Sequence, residues 1–318
     1  MDITQRLLTD CRRIVVLICI VQYNLQRELT NGCQIKNDPR GTKTRVLRAA
    51  IALGLVRRDS KGLYRWAKPY VRDIAAWSQT LHIVLHHSTY ISLASRLTLS
   101  APTSPIRQLQ ESPSDYLLFL QGVDVSHVAH AHWLTSLKGL SKAQTLIDLG
   151  GGLGTFSNSW IESANDRRAV VVDLPNVRTF LMNKSRRQPS GRVKFIGADL
   201  TNLKSIPSGD VYLLANVLHL LPKWQGVLSR VVKAMRPGSQ LIVMEADRRG
   251  YSGALFDLQV HIRSGGAGGL IPFREMHSLL TGLLPIEELH SLREASDPFR
   301  RRYRIWIGRK SQESISKR

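Results

Sequence analysis

The chain has 318 residues, 43% of them hydrophobic, and is long enough to bury an α/β core with a smaller second domain attached. Its formal net charge of +21 is unusual for a small-molecule enzyme and attracts anions, but the Lys and Arg residues are spread evenly along the chain. The longest apolar run, residues 14–21, is too short to cross a bilayer, which excludes a helical membrane span and favours a soluble, cytoplasmic protein.

Residues 1–100 are predicted to form a mainly helical winged-helix domain. Apolar spacing indicates helices within residues 1–30 and 41–54, and residues 55–66 predict two short strands around a turn, which would form the wing. Winged helices also bind DNA, so a nucleic-acid partner stays open as the less favoured alternative. The cations that keep it open are Arg40, Lys43, Arg45 and Arg48.

Residues 101–135 are predicted to hold a proline- and serine-rich linker and its connecting helices. Two groups of histidines have spacings that invite a metal interpretation, namely His82, His86 and His87, and His127, His130 and His132. Neither group has the further ligands that a metal site needs, and positions 127 and 132 diverge around a helix. We therefore predict no metal site and interpret these histidines as exposed or lining a pocket.

Residues 145–156 predict a buried strand followed by a glycine loop that opens into a helix. The strand is apolar to its end, which is typical of a parallel sheet covered on both faces, and the glycines let a ligand approach the backbone. No Lys-Ser or Lys-Thr pair follows, which argues against an ATP-binding P-loop. The dinucleotide spacing is met only with Thr155 in place of the third glycine, which leaves NAD open at this point.

Further predicted strands also end in polar side chains. Asp173 follows one strand and is placed to accept hydrogen bonds from a ribose diol, which both NAD and S-adenosylmethionine carry. Asp199 ends the next strand and His219 the one after it. Together with Asp148, these residues form the pattern of a class I methyltransferase: a Rossmann-like α/β domain with a mostly parallel, doubly wound sheet, predicted over residues 136–318.

The densest basic cluster, residues 299–304, precedes a predicted last strand at residues 305–308. Such a cluster is either a solvated edge or a contact for a polyanion. We favour the solvated edge.

The chain resembles the small-molecule O-methyltransferases that include the caffeate, hydroxyindole and bacterial polyketide enzymes. The matching segments occur in the family's order and are Asp148-Leu-Gly-Gly-Gly-Leu-Gly154, Val172-Asp-Leu-Pro-Asn176, Gly197-Ala-Asp-Leu200, Asn216-Val-Leu-His219 and Leu241-Ile-Val-Met-Glu245. The resemblance implies S-adenosylmethionine as cofactor, an acidic or aromatic small-molecule acceptor, and a homodimer formed through the N-terminal domain.

The resemblance also implies the roles of individual residues. His219 would be the general base and Glu245 would orient it. The acceptor would be bound by Asp257, His261 and Arg263. The cofactor would be bound by Asp148, Gly150, Gly152, Asp173, Leu174, Asp199, Leu200 and Asn216.

The residues expected around the methyl acceptor depart from the family pattern. Leu220 stands where the family usually has Asp, Gly268 where it has a second glutamate, and Ala215 where it often has lysine. We predict O-methylation of a hydroxyl or of an acidic acceptor. S-, N- or C-methylation of a small acid, non-methyl chemistry on the same fold, and a nucleic-acid-binding protein with a vestigial methyltransferase fold stay open.

Overall fold

A computed structural model of the chain describes residues 13, 16–17, 19–20, 23, 25–35, 38, 41–67, 113–178, 191–263, 268–293 and 302–312. Their contacts divide the chain into two compact units, Met1–Gln108 with Arg248–Leu270, and Leu109–Asp247 with Ile271–Arg318. The histidines at positions 82, 86 and 87 and residues 101–112 of the predicted linker region lie outside the described residues.

The helices and strands have the following bounds. The helices are α1 (Leu25–Asn31), α2 (Thr42–Ala52), α3 (Pro113–Thr135), α4 (Thr155–Glu162), α5 (Trp224–Ala234), α6 (Gly250–Arg263) and α7 (Phe273–Leu283). The strands are β1 (Val56–Arg58), β2 (Tyr64–Trp66), β3 (Thr145–Leu149), β4 (Arg168–Asp173), β5 (Val193–Gly197), β6 (Val211–Ala215), β7 (Gln240–Ala246), β8 (Ile286–Arg293) and β9 (Arg302–Arg309).

The first unit contains helices and one antiparallel hairpin. β1 pairs with β2, and Cys33 forms an isolated bridge with Tyr64. Apolar side chains from α1, α2, the hairpin and α6 share one core, to which Leu29, Leu47 and Leu258 belong. The order of helices and hairpin follows the predicted winged-helix order, and the name stays an interpretation.

The second unit is built on a seven-stranded sheet in the order β5-β4-β3-β6-β7-β9-β8. β5, β4, β3, β6 and β7 run parallel, whereas β9 is antiparallel to both of its neighbours. Every residue of β7 is buried, as expected of an apolar strand inside a covered sheet. The predicted mostly parallel α/β fold is confirmed.

The carboxyl ends of the parallel strands meet at one edge of this sheet, where ligands of such folds bind. Asp148 lies in β3, Asp173 ends β4, and Glu245 lies at the end of β7. His219 follows β6 in a short 3₁₀ turn. The fold therefore brings these four side chains to the edge that the sequence predicted.

The predicted boundaries, residues 1–100, 101–135 and 136–318, remain predictions. The contact units differ from them in two respects: the first division falls after Gln108, and α6 groups with the N-terminal helices. Among the described residues, no helix is both long enough and apolar enough to span a bilayer.

Candidate active site

The glycine loop after β3 leaves no room for a side chain at Gly150 or Gly151. Gly150, Gly152 and Gly154 all have positive φ angles, 76°, 53° and 73°, which favour glycine. A Cβ on Gly150 would lie 2.4 Å from the side chain of Val217, and a Cβ on Gly151 would lie 2.6 Å from the carboxyl carbon of Asp148. The loop is therefore held close to its surroundings and presents backbone groups rather than side chains.

Asp148 lies beneath this loop. Its carboxyl group is buried and accepts a hydrogen bond from Ser157 Oγ at 2.8 Å. Burial, together with the nearby charge of Asp173, raises the pKa of Asp148 to about 7, against the lowering effect of the Ser157 bond. The side chain supports the loop and the start of α4.

Asp173 is fixed by the backbone on both sides. Its Oδ2 accepts from the N–H of Gly152 and its Oδ1 accepts from the N–H of Leu174, each at 2.7 Å. Burial raises the pKa of Asp173, and these two hydrogen bonds oppose the rise. The carboxylate thus has a defined orientation at the end of β4, as recognition of a diol requires.

An apolar cluster adjoins Asp173. Leu120 of α3, Leu153 of the loop and Val177 form its buried part, and Leu174 and Phe195 pack against it. Such a surface suits one face of a flat aromatic ring.

The loop after β5 carries Asp199 and Leu200, which the sequence predicts to bind the cofactor. Oδ1 of Asp199 accepts from the N–H and the hydroxyl of Thr201, at 2.8 and 2.7 Å, so this oxygen caps the turn. Leu200 is buried, and its carbonyl accepts from Arg230 at 2.9 Å. The turn is held at the same edge of the sheet as Asp173.

Asn216 is in an unusual state directly after β6. Its φ is 57°, a left-handed conformation that Asn tolerates better than most residues, and its N–H donates to the carbonyl of Met244 at 2.6 Å. The side-chain Oδ1 is buried with no hydrogen-bond partner. An unsatisfied buried acceptor typically costs about 1–3 kcal/mol, so this atom fits a ligand that donates a hydrogen bond.

His219 and Glu245 form a buried pair. His219 Nδ1 lies 2.7 Å from Glu245 Oε2, and the other oxygen of Glu245 accepts from the N–H of Leu218 at 2.8 Å. The two side chains are each 3% exposed. Because the carboxylate can only accept, the proton lies on Nδ1 and Nε2 is the basic nitrogen. The carboxylate also favours the imidazolium that forms when Nε2 takes up a proton.

The predicted acceptor residues lie in α6, and their contacts belong to the first unit. Asp257 accepts from the N–H of Leu270 at 2.8 Å and lies 3.1 Å from Arg48 Nη1. His261 Nδ1 donates to the carbonyl of Gly268, and Thr42 Oγ1 donates to Nε2, both at 2.6 Å. Burial lowers the pKa of His261.

Asp257 and His261 are therefore engaged in packing α6 against α2, which sequence reasoning missed because both partners are distant in the chain. The side chain of Arg263 lies outside the described residues. The acceptor-binding role of all three remains a prediction.

The cations that support the nucleic-acid-binding alternative have acidic neighbours. Arg45 Nε and Arg48 Nη1 lie 3.5 and 3.1 Å from the Asp257 carboxylate, and Lys43 Nζ lies 4.0 Å from Glu28. Arg40 is outside the described residues. The described part of this helix face is thus less basic than the sequence indicates.

The second histidine group is also more buried than expected. His127 and His130 are buried, and their rings lie 5.6 and 4.7 Å from the ring of Tyr303, so these two histidines are not exposed, and that they line a pocket remains a prediction. His132 is exposed. Within the described ranges, no three Asp, Glu, His or Cys side chains form a group that could hold a metal ion.

A mostly parallel sheet with a glycine loop and polar strand ends defines the class I methyltransferase fold. The family model of the O-methyltransferase domain matches residues 102–260, half of the chain. The chain therefore belongs to the O-methyltransferase domain family.

Individual relatives agree with this assignment. Acetylserotonin O-methyltransferase of Rattus norvegicus is 28% identical over 66% of this chain and 52% of its own length, so the chain spans about half of this curated relative.

Two solved structures share the fold. The O-methyltransferase family 2 protein from Planctomyces limnophilus DSM 3776, in complex with apigenin, has a TM-score of 0.69 at 15% identity, covering 98% of this chain and 96% of that one. Human N-acetylserotonin methyltransferase in complex with SAM has a TM-score of 0.58 at 18% identity, covering 98% and 99%.

Proposed function

We propose that the chain transfers a methyl group from S-adenosylmethionine to a small-molecule acceptor, most simply to a hydroxyl oxygen, with His219 as general base. The observation that carries this proposal is the buried pair of His219, which follows β6, and Glu245, at the end of β7, at the edge where the glycine loop lies. Membership of the O-methyltransferase domain family and the activities for which its relatives are named support it.

The residues at this edge fit S-adenosylmethionine, which when bound supplies an electrophilic sulfonium methyl group. The glycine loop would lie against the cofactor, because its glycines present backbone groups without side chains. The oriented carboxylate of Asp173 would accept from the ribose hydroxyls, and the partnerless Oδ1 of Asn216 would accept from a donor group.

The remaining cofactor contacts follow from the same edge. We propose that Asp199 and Leu200 bind the adenine and that Leu174 packs against it, since Leu174 belongs to the apolar cluster beside Asp173. Asp148 would act from beneath the loop, by supporting Gly151 and the start of α4 rather than by touching the ligand.

His219 would remove the acceptor's proton through Nε2 as the acceptor oxygen attacks. Glu245 accepts the Nδ1 proton, which fixes the tautomer, and its charge stabilises the imidazolium. A second hydrogen bond, from Leu218 N–H, holds the carboxylate in place. A positioned base of this kind typically contributes about 10²–10⁴-fold to the rate.

For the acceptor we propose a small acidic or aromatic molecule. Arg263 would pair with an acidic group of the acceptor. Asp257 and His261 would bind the acceptor from the same helix, α6. We further propose a homodimer and a cytoplasmic location; the family assignment and the free, buried thiols of Cys19 and Cys33 support these two points.

The test is methyl transfer from labelled S-adenosylmethionine to a panel of phenols, aromatic carboxylic acids and thioethers. We expect labelled product from a phenol or phenolic acid with the wild type, and about 10²–10⁴-fold less with His219→Gln, at unchanged cofactor affinity by calorimetry. Equal rates for both proteins would discard the base, and cofactor that does not bind would discard the reaction.

A further inference from the structure

Three charged side chains share one face at the ends of two neighbouring strands. Glu245 in β7 is paired directly with Arg304 in β9, and beyond the strand end Asp247 N–H donates to the carbonyl of Arg302 at 2.7 Å. Side chains alternate between the faces of a sheet, so those of Glu245, Asp247 and Arg304 project to the same side.

By register, Glu245 is the acid nearest to Arg304. Directly opposed residues have Cβ atoms about 4.5–5.5 Å apart, whereas diagonal neighbours are about 7–8 Å apart. Arg304 nevertheless donates from Nε to Oδ2 of the diagonal residue, Asp247, at 3.0 Å. Its guanidinium carbon also lies 5.2 Å from the centre of the Phe273 ring.

This choice of partner affects Glu245 directly. Both carboxylate oxygens of Glu245 are occupied, one by the N–H of Leu218 and one by His219 Nδ1. A guanidinium is a fork of donors that binds carboxylates bidentately, so Arg304 on Glu245 would compete for both oxygens. It would also neutralise the charge that favours the imidazolium.

We propose that Asp247 is a positioning residue that holds the Arg304 guanidinium away from Glu245, so that Glu245 stays available to orient His219. The pair is shielded from water, since the side chain of Asp247 is 2% exposed and that of Arg304 is 19% exposed. The inference rests on the proposed role of His219 as base.

Other titratable groups lie on the same elements in the described part. Arg302 is exposed at the start of β9, and His277 of α7 accepts from Trp306 Nε1 at 3.3 Å. Both remain unchanged in the variants below, so they contribute equally to every measurement.

The experiment compares Asp247→Asn, Arg304→Gln and the double variant by two readouts. One is the pKa of the His219 imidazole, followed by NMR on histidine-labelled protein and assigned by the signal lost in His219→Gln. The other is the rate of methyl transfer across pH 6–9.

In Asp247→Asn, Arg304 is released toward Glu245, and we expect the His219 pKa to fall by about one unit and the turnover to fall about tenfold. Arg304→Gln should not lower this pKa, because it removes a cation. The double variant should return both quantities to near the wild-type values. A merely structural role of Asp247 would instead leave the double variant as impaired as the single one.

Glu287→Gln is the matched control, because it breaks an ion pair of β9, Arg309 to Glu287 at 3.0 Å, on an exposed surface. It should leave both readouts unchanged. An unchanged His219 pKa in Asp247→Asn, or a double variant that is not restored, would overturn the proposal.

If Asp247→Asn does not fold by circular dichroism, the double variant is compared with Arg304→Gln alone. Equal values support the proposal, and a deficit in the double variant refutes it. Failure of the proposed function is distinguishable, because His219→Gln would then retain full turnover whereas the NMR shift in Asp247→Asn would still occur.

Discussion

At the scale of single residues, the carboxyl groups of the site differ in their hydrogen-bond partners. Asp173 is held by two backbone N–H groups, and Glu245 is held by one N–H and an imidazole. Asp148 instead has a hydroxyl partner and a nearby like charge in a fully buried position. Its ionisation is therefore unfavourable in the folded chain.

This difference predicts a pH dependence of stability. Burial raises the pKa of Asp148 from 3.8 to about 7 in the folded protein, so the folded state retains a proton that the unfolded state has lost. The contribution of the protonated Asp148 carboxyl to the stability of the folded state is complete below about pH 4 and is lost as the pH rises through about 7. Asp148→Asn stays neutral, so it should gain stability relative to the wild type between pH 5 and 8, by roughly 1–3 kcal/mol.

Urea unfolding of both proteins at several pH values measures the effect. Asp166→Asn is the control, because Asp166 is an exposed carboxylate that accepts from Gln144. Stability curves of wild type and Asp148→Asn that run parallel from pH 5 to 8 would contradict the assignment.

At the scale of elements, the glycine loop is constrained by its neighbour as much as by its own backbone. Gly150 has a φ of 76° and its missing Cβ would lie 2.4 Å from Val217. Gly250, at the start of α6, has the same φ but nothing within 4 Å of a Cβ. The two positions therefore separate backbone strain from collision.

We expect Gly150→Ala to weaken S-adenosylmethionine binding at least tenfold, because the loop must move to admit the new methyl group. Gly250→Ala adds only the strain of a left-handed alanine, about 1–2 kcal/mol, and should leave cofactor affinity unchanged. Val217→Ala should partly restore binding to Gly150→Ala. Calorimetry decides: equal affinity in Gly150→Ala and wild type would show that the loop has room.

Elements with a local signal were predictable from sequence. The apolar run before Asp148 and the glycines after it predict the strand and the loop, and both are present. The partners of Asp257 and His261 were not predictable, because Arg48 and Thr42 lie more than two hundred residues away in the chain. The basic cluster before residue 305 was interpreted as a solvated edge, yet Tyr303 is buried within β9 and Arg304 binds Asp247. The burial of these side chains depends on the pairing of β9 with β7, which no local sequence pattern indicates.

At the scale of the whole molecule, the net charge of +21 predicts weak attraction to polyanions. Lys43, Arg45 and Arg48 have acidic neighbours, so we expect no dedicated DNA-binding face on α2. Duplex DNA should bind without sequence preference, with an affinity that falls more than about tenfold between 50 and 200 mM salt.

Fluorescence anisotropy with two unrelated duplexes measures this binding, and heparin as competitor should displace both equally. A tight complex with only one of the duplexes at physiological salt would instead indicate that the N-terminal helices bind DNA in a sequence-specific manner.

The position of β9 between β7 and β8 has a consequence for synthesis of the chain. β7 carries Glu245, but its second hydrogen-bonded neighbour is a strand that begins at Arg302. As the ribosome releases the chain from its N-terminus, β7 has an open edge until more than fifty further residues have emerged. A nascent chain halted before β9 would thus display an unpaired, apolar strand to which chaperones bind.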